Sequence, residues 1–260
     1  GTDDFAGFPE GSIALIQRGG CSFALKALNA EAAGAEAVII FNQGNTPDRE
    51  ALFIGNATPP EGSADTEIGI PVVGASFADG SALAQPGSTA YVEVVTETRI
   101  DYNVIAELEG KNTDNVVMAG AHLDSVIEGP GINDNGSGTA ALLETALQMA
   151  KIKPENTLRF GFWAAEEQGL VGSTDYVTGL SEEELGRIAL YRNYDMIGSP
   201  NYIFMVYDAD ESTFPALEGV TIPPGSTAIE DLYESYYTLI GEPYDDTEFS
   251  GRSDYQAFIE

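Results

Sequence analysis

Short apolar runs bounded by glycine, proline and small polar residues recur along this chain of 260 residues. Residues 12–17 and 37–41 read as buried strands, with the alanine-rich stretch 23–35 as a helix between them. Residues 71–74 and 89–95 read as further strands. Residues 42–70 are rich in Gly, Pro, Asn and Asp and read as surface loops. Apolar periodicity lapses over residues 97–101, which sets a first domain at 1–97 and a second at 98–260.

Beyond that lapse, strand patterns alternate with helical ones. Residues 102–108, 116–119, 157–163 and 188–194 are strand candidates. Residues 137–150 form a helix pattern with Ala140, Leu143, Leu147 and Ala150 at helical spacing, and Ser181 with Glu184 resembles a capping box. Such alternation predicts an α/β fold, a mostly parallel sheet with helices on both faces. Sheets of this kind carry their sites beyond the carboxyl ends of the strands. His122, Asp134, Glu166, Glu167 and Asp195 all fall just past predicted strand ends or at a helix start.

Composition narrows the partners. The formal net charge is −31, with only 11 basic residues, scattered along the chain. That argues against nucleic acid and anionic membrane, whose phosphates need clustered Lys and Arg. The acid is spread over both halves, which suits a secreted protein in an extracellular and saline setting, where salt screens self-repulsion. There is no run of 18 apolar residues that would span a membrane. The first residues have neither part of a signal peptide, so an export signal is expected to have been removed or to lie outside this chain. Cys21 is the only cysteine, which excludes an internal disulfide. It reads as a small packed residue, since a lone histidine leaves no base to activate it. Asn56 heads a glycosylation triplet among Gly55, Pro59 and Pro60. Asn135 heads another, where a glycan would obstruct the neighbouring acidic cluster. The acidic run 244–248 reads as a solvated loop, with a cation site as the alternative.

His122 is the sole histidine, followed by Asp134, Glu166, Glu167 and Asp195. Imidazole nitrogen with carboxylate oxygen suits zinc better than calcium or magnesium, which take oxygen alone. Asp124, two residues on, could accept the other ring N–H and fix the tautomer. Asp134 sits between flexible residues, where a carboxylate could bridge two metals. Adjacent side chains after a strand diverge, so one of Glu166 and Glu167 can bind metal while the other acts as general base.

Five segments carry a resemblance: Ala121-His122-Leu123-Asp124-Ser125, Gly131-Ile132-Asn133-Asp134-Asn135-Gly136-Ser137-Gly138, Phe162-Trp163-Ala164-Ala165-Glu166-Glu167, Asn193-Tyr194-Asp195-Met196-Ile197-Gly198 and Gly251-Arg252-Ser253-Asp254. Together they resemble the signatures of the secreted co-catalytic di-zinc aminopeptidases, the leucine aminopeptidase and aminopeptidase Y type. Residues 1–97, with Arg18-Gly19-Gly20-Cys21-Ser22-Phe23, resemble the smaller, β-rich α/β protease-associated domain that often accompanies them. The resemblance implies a zinc held by His122, Asp134 and Asp195, with Asp134 bridging to a second zinc held also by Glu167. It implies a zinc-bound water as nucleophile and Glu166 as general base. It further implies that Glu166, Asp195 and the Arg252 segment meet the free amino group of a peptide substrate.

The pattern departs from the family's at one point. The family's second zinc takes a further histidine from a segment beyond the Gly-Arg-Ser-Asp motif, and this chain holds no other histidine. The expectation is therefore an internal fragment of a longer protein, with two zincs in the parent and an incomplete second site here. The same scaffold also serves non-catalytic binding or assembly proteins, as in the transferrin receptor relatives, and related carboxypeptidases and glutaminyl cyclases. The residues that decide among these lie partly beyond Glu260, and the oligomeric state is not legible in the sequence.

Overall fold

The architecture comes from a computed structural model that describes residues 2–57, 68–95, 99–216 and 220–259. The chain divides into two compact units, Gly1–Thr98 and Arg99–Glu260.

In the first unit, β1 (Ile13–Gln17), β2 (Ala37–Phe41) and β3 (Val72–Ala75) form a three-stranded parallel sheet in that order. Helix α1 (Phe23–Ala32) crosses from β1 to β2, and α2 (Phe77–Leu83) follows β3. Ser22 caps α1 by accepting a hydrogen bond from Leu25 N. Gly34, at φ +87°, takes the chain out of the helix before the predicted end at residue 35. The core is made of small and branched side chains, with Ala14, Ala27, Ala30, Val38 and Ile40 buried together. Alanines at these positions let the helix lie close on the sheet.

Two expectations fail in this unit. Residues 89–95 form no strand: Tyr91 and Val95 are exposed, and no described strand lies beside them to complete a ladder. Their alternation is that of a strand, but alternation without a partner cannot satisfy the backbone groups. Cys21 is exposed, not packed. Gly19 and Gly20, both at positive φ, turn the chain outward between β1 and the cap of α1.

The second unit opens with β4 (Val104–Leu108) and β5 (Asn112–His122), followed by α3 (Gly136–Met149), β6 (Asn156–Trp163), α4 (Val171–Thr178), α5 (Glu182–Arg187) and β7 (Ile188–Asn193). The sheet order is β4-β6-β5-β7; the last three strands run parallel and β4 is an antiparallel edge. Alternate residues of β5 and β6 feed two cores. Ala121, Phe160 and Phe162 pack with Leu142 of α3 on one face. Val116, Met118 and Trp163 pack on the other with Tyr176 of α4 and with Phe258 of α7 (Gln256–Ile259). The expected mostly parallel sheet with helices on both faces is thus present.

Helix α3 buries a stripe other than the one predicted. Ala140, Leu143, Leu147 and Ala150 are exposed, and Gly138, Leu142, Ala146 and Met149 face the sheet. Both stripes have helical spacing, so periodicity alone does not choose. The N-terminal end chooses: Asn135 caps it by accepting from Gly138 N, and Thr139 Oγ1 donates to His122 O at 2.6 Å. A Cβ on Gly138 would lie 2.3 Å from Tyr194 O, so only glycine allows this approach.

A separate parallel pair, β8 (Phe204–Tyr207) and β9 (Tyr244–Thr247), is joined by α6 (Ser226–Ile240). The acidic run expected as a loop is therefore largely strand, because Tyr244 stacks on Tyr237 and the backbone pairs with β8. Asp246 does stand with Glu230 and Glu234, their oxygens within 4.8 Å of one another. Glu230 is occupied by Ala209 N and Asp210 N, and Asp246 accepts from Thr213 Oγ1, so these carboxylates hold the loop after β8.

Leu142 is 2% exposed. Leu142→Ala is expected to lower the unfolding free energy by about 2–5 kcal/mol, whereas Leu147→Ala on the outer stripe changes it by less than about 1 kcal/mol. Chemical denaturation of the two variants checks which stripe is inward.

Candidate metal centre

Three parallel strands deliver the candidate residues. His122 is the last residue of β5, Glu166 and Glu167 follow β6, and Asp195 follows β7. Asp134 precedes the cap of α3. Ala165 and Met196, the neighbours of Glu166 and Asp195, have φ of 53° and 55°. Left-handed backbone at a non-glycine residue costs of the order of 1 kcal/mol or more, and here it turns the chain sharply off two strand ends at the site.

His122 is 1% exposed, and its ring is bound at both ends. Nδ1 lies 3.1 Å from the carbonyl of Asp124 and 3.5 Å from its Oδ1. A carbonyl only accepts, so Nδ1 carries a proton. On the other side, Nε2 faces Asp134 Oδ1 at 3.2 Å, Asp195 Oδ1 at 3.3 Å and Glu166 Oε2 at 3.9 Å. The carboxylate of Asp124 is spent mainly elsewhere, accepting from Glu166 N at 2.9 Å and Glu167 N at 3.0 Å. It thereby ties the loop after β6 to the loop after β5.

Charge is badly unbalanced here. Burial alone would depress the His122 imidazole, but hydrogen bonds to Asp124 and Asp195, with the charges of Asp195 and Glu166, raise it to about 11. Burial, with Asp254, Asp195 and Glu167 adding to it, pushes Glu166 up to about 8. Asp134 and Glu167 are raised by burial too, and each is pushed further by a neighbouring carboxylate, Asp195 and Asp134 respectively. Against burial, Asp124 is lowered by His122 and the two backbone N–H groups. The protonated ring of His122 faces four carboxylates, those of Asp124, Asp134, Asp195 and Glu166.

A metal cation fits this donor set. With Nδ1–H held by a carbonyl, a neutral His122 presents its Nε2 lone pair toward three carboxylates, and His122, Glu166 and Asp195 bring ligand atoms within 4.8 Å of one another. Glu167 Oε1 is buried with no hydrogen-bond partner, a polar atom left for a ligand to satisfy. Mixed nitrogen and oxygen ligands suit zinc.

Arg252 is exposed and immediately precedes Ser253. Asn56 is exposed, although Thr58 of its triplet lies outside the described residues. Asn135 is buried and serves as the α3 cap and as a donor to Tyr194 O, so it is no glycan acceptor. Sequence reasoning missed two neighbours in a motif it had noted. Ser253 Oγ donates to Asp195 Oδ2 at 2.7 Å, and Asp254 is fully buried, with burial raising it to about 6. A cavity of about 700 Å³ reaches Asp195 from the side of β7, α6 and β8, and its lining does not include His122, Asp134 or Glu166.

The chain is similar to known proteins over both units. The model of Peptidase family M28 matches residues 103–260, and that of the PA domain matches residues 2–83. An aminopeptidase of Pseudomonas aeruginosa is 54% identical over 260 residues, covering 99% of this chain and 47% of that protein. A probable leucine aminopeptidase 2 of Aspergillus fumigatus is 46% identical over 257 residues, covering 96% of this chain and 49% of that one. The chain thus spans about half the length of the curated relatives it matches. Among solved structures, an aminopeptidase from Aneurinibacillus superposes with a TM-score of 0.71 at 33% identity, over 99% of this chain and 60% of that one. A zinc aminopeptidase from Bacillus subtilis superposes with a TM-score of 0.67 at 32% identity, over 99% and 59%.

In the metal-free protein, the raised value for His122 means that its charged form stabilises the fold fully below about pH 6.5 and that this contribution is lost as pH rises through about 11. A single histidine gives a single set of imidazole signals, so a nuclear magnetic resonance titration reads it directly. The ring is expected to stay charged at pH 9; a midpoint near the ordinary value would contradict the geometry.

Proposed function

The chain belongs to Peptidase family M28, and we propose that it removes N-terminal amino acids from peptides by zinc-dependent hydrolysis, outside the cell. The observation that carries this reading is the buried His122 with Asp134, Asp195 and Glu166 grouped on its Nε2 side. The names of the relatives and the zinc aminopeptidase fold support it.

His122, Asp134 and Asp195 would hold one zinc, and Asp134 would be shared with a second held by Glu167. When bound, zinc supplies a Lewis acid that polarises the scissile carbonyl and acidifies water. Glu166 takes a proton from the attacking water and returns it to the leaving amine. Its backbone is fixed by Asp124 and the residue is 8% exposed, so it is held in place and only lightly solvated.

The same surplus of negative charge selects the substrate. Carboxylates of Glu166 and Asp195 complement the ammonium of a free N-terminus, so a peptide with a blocked amine would meet buried carboxylates without a counterion. Arg252, exposed on the loop that carries Ser253, would contact the substrate from the rim of the site. Residues 1–97 would act as the protease-associated domain.

Glu166→Gln is expected to lower kcat for release of the first residue from an unblocked peptide by about 10²–10⁴, with zinc content unchanged by metal analysis. Activity surviving at the original rate would remove Glu166 from the role of base, and equal cleavage of an acetylated peptide would contradict the exopeptidase reading.

A further inference from the structure

From the core of the second unit a chain of four hydrogen bonds runs to Asp195. Trp163 Nε1 donates to the Tyr191 hydroxyl at 2.8 Å, and that hydroxyl donates to Asn193 Oδ1 at 2.8 Å. Asn193 Nδ2 donates to Ser253 Oγ at 2.7 Å, and Ser253 Oγ donates to Asp195 Oδ2 at 2.7 Å. An indole nitrogen has no acceptor capacity, so the direction of the first bond is not free. A tyrosine that accepts there sends its own single proton onward, which places the Asn193 oxygen toward Tyr191 and its NH₂ toward Ser253. The serine, already accepting, directs its proton to Asp195. Each rotor and the amide orientation follow from the one donor-only group.

We infer that Trp163, Tyr191 and Asn193 are positioning residues for the metal ligand Asp195: through Ser253 they fix its Oδ2 as an acceptor and leave Oδ1 to the cation. This rests on the zinc reading of the site. Oδ1 is the oxygen that faces His122 Nε2, at 3.3 Å. Without the relay, Ser253 could rotate its proton to Asn193, and Asp195 could turn its second oxygen inward or swing out of line.

Other features of the fold serve the same chain. Trp163 ends β6, and Tyr191 and Asn193 lie on β7, so the first three members are sheet residues and only Ser253 and Asp195 stand on loops. Trp163 is fully buried and Ser253 is 5% exposed, so little water competes for these bonds. Tyr191 stacks on Phe258 with ring centroids 3.7 Å apart, and burial, with the charges of Asp254 and Asp195, keeps its hydroxyl protonated. Gly120, on β5 between them, makes room: a Cβ there would lie 2.2 Å from the Tyr191 hydroxyl and 2.4 Å from Trp163 Nε1.

The test is a double-mutant cycle read as zinc affinity, measured on this chain by competition with a chromophoric chelator. Tyr191→Phe keeps the ring and its stacking and removes only the hydroxyl. It and Ser253→Ala are each expected to weaken zinc about 10- to 100-fold. Because both cut one chain, the double variant should bind no more weakly than Ser253→Ala alone. Leu142→Ala, on the opposite face of the sheet, should lower thermal stability and leave zinc affinity within about twofold of the wild type. If Tyr191→Phe binds zinc as tightly as the wild type, or if the two losses multiply, the relay is overturned while the metal site stands. If the wild type itself binds no zinc, the zinc reading falls and the relay's role falls with it.

Discussion

The second unit is organised around one buried imidazole that must coexist with more negative charge than it can neutralise. Asp124, Asp134, Asp195 and Glu166 all lie within 4 Å of the His122 ring nitrogens. Burial strengthens every one of these interactions and makes the unbalanced remainder costly. Without a metal, protons make up the difference, which is why His122 and Glu166 both stand well above their ordinary values. A dication would resolve the imbalance without protonating the ligands.

Holding that arrangement falls to the backbone. Parallel strands end at one edge of the sheet and bring three segments distant in the chain together. Left-handed Ala165 and Met196 turn two of them immediately. Asp124 accepts from the loop after β6, and Asn135 accepts from Met196 N while it caps α3 and donates to Tyr194 O. Each of these side chains belongs to one strand-end loop and bonds to another. The loops are therefore fixed relative to one another by direct hydrogen bonds, and the orientation of Asp195 is set from the core outward through Ser253.

Much of this was legible in the residues. Strand and helix alternation gave the sheet and put His122, Glu166 and Asp195 past strand ends, and the flexible residues about Asp134 marked a turn where a further carboxylate could join them. What was not legible depended on tertiary partners. Helix α3 carries two apolar stripes, and its inward one is selected by Gly138 against Tyr194 O, a contact between residues far apart in sequence. Residues 89–95 and 244–247 show the converse pair: an alternating segment with no partner strand among the described residues is no strand, and an acidic one beside β8 is. The motif of Gly251 to Asp254 drew notice for Arg252, whose charge is easy to see. Its working contact is Ser253, a neutral side chain whose role appears only when Asn193 and Asp195 are seen on either side of it.

Calorimetry of zinc binding to the protein at pH 8, repeated in buffers of different ionisation enthalpy, tests the central claim most directly, because it counts the protons displaced when the cation enters. With His122 held near 11 and Glu166 near 8, binding is expected to be saturable and to release more than one proton, a number that His122→Ala reduces together with the affinity. Zinc binding that releases no protons, or that is unchanged in His122→Ala, would contradict a site built on one charged imidazole among carboxylates.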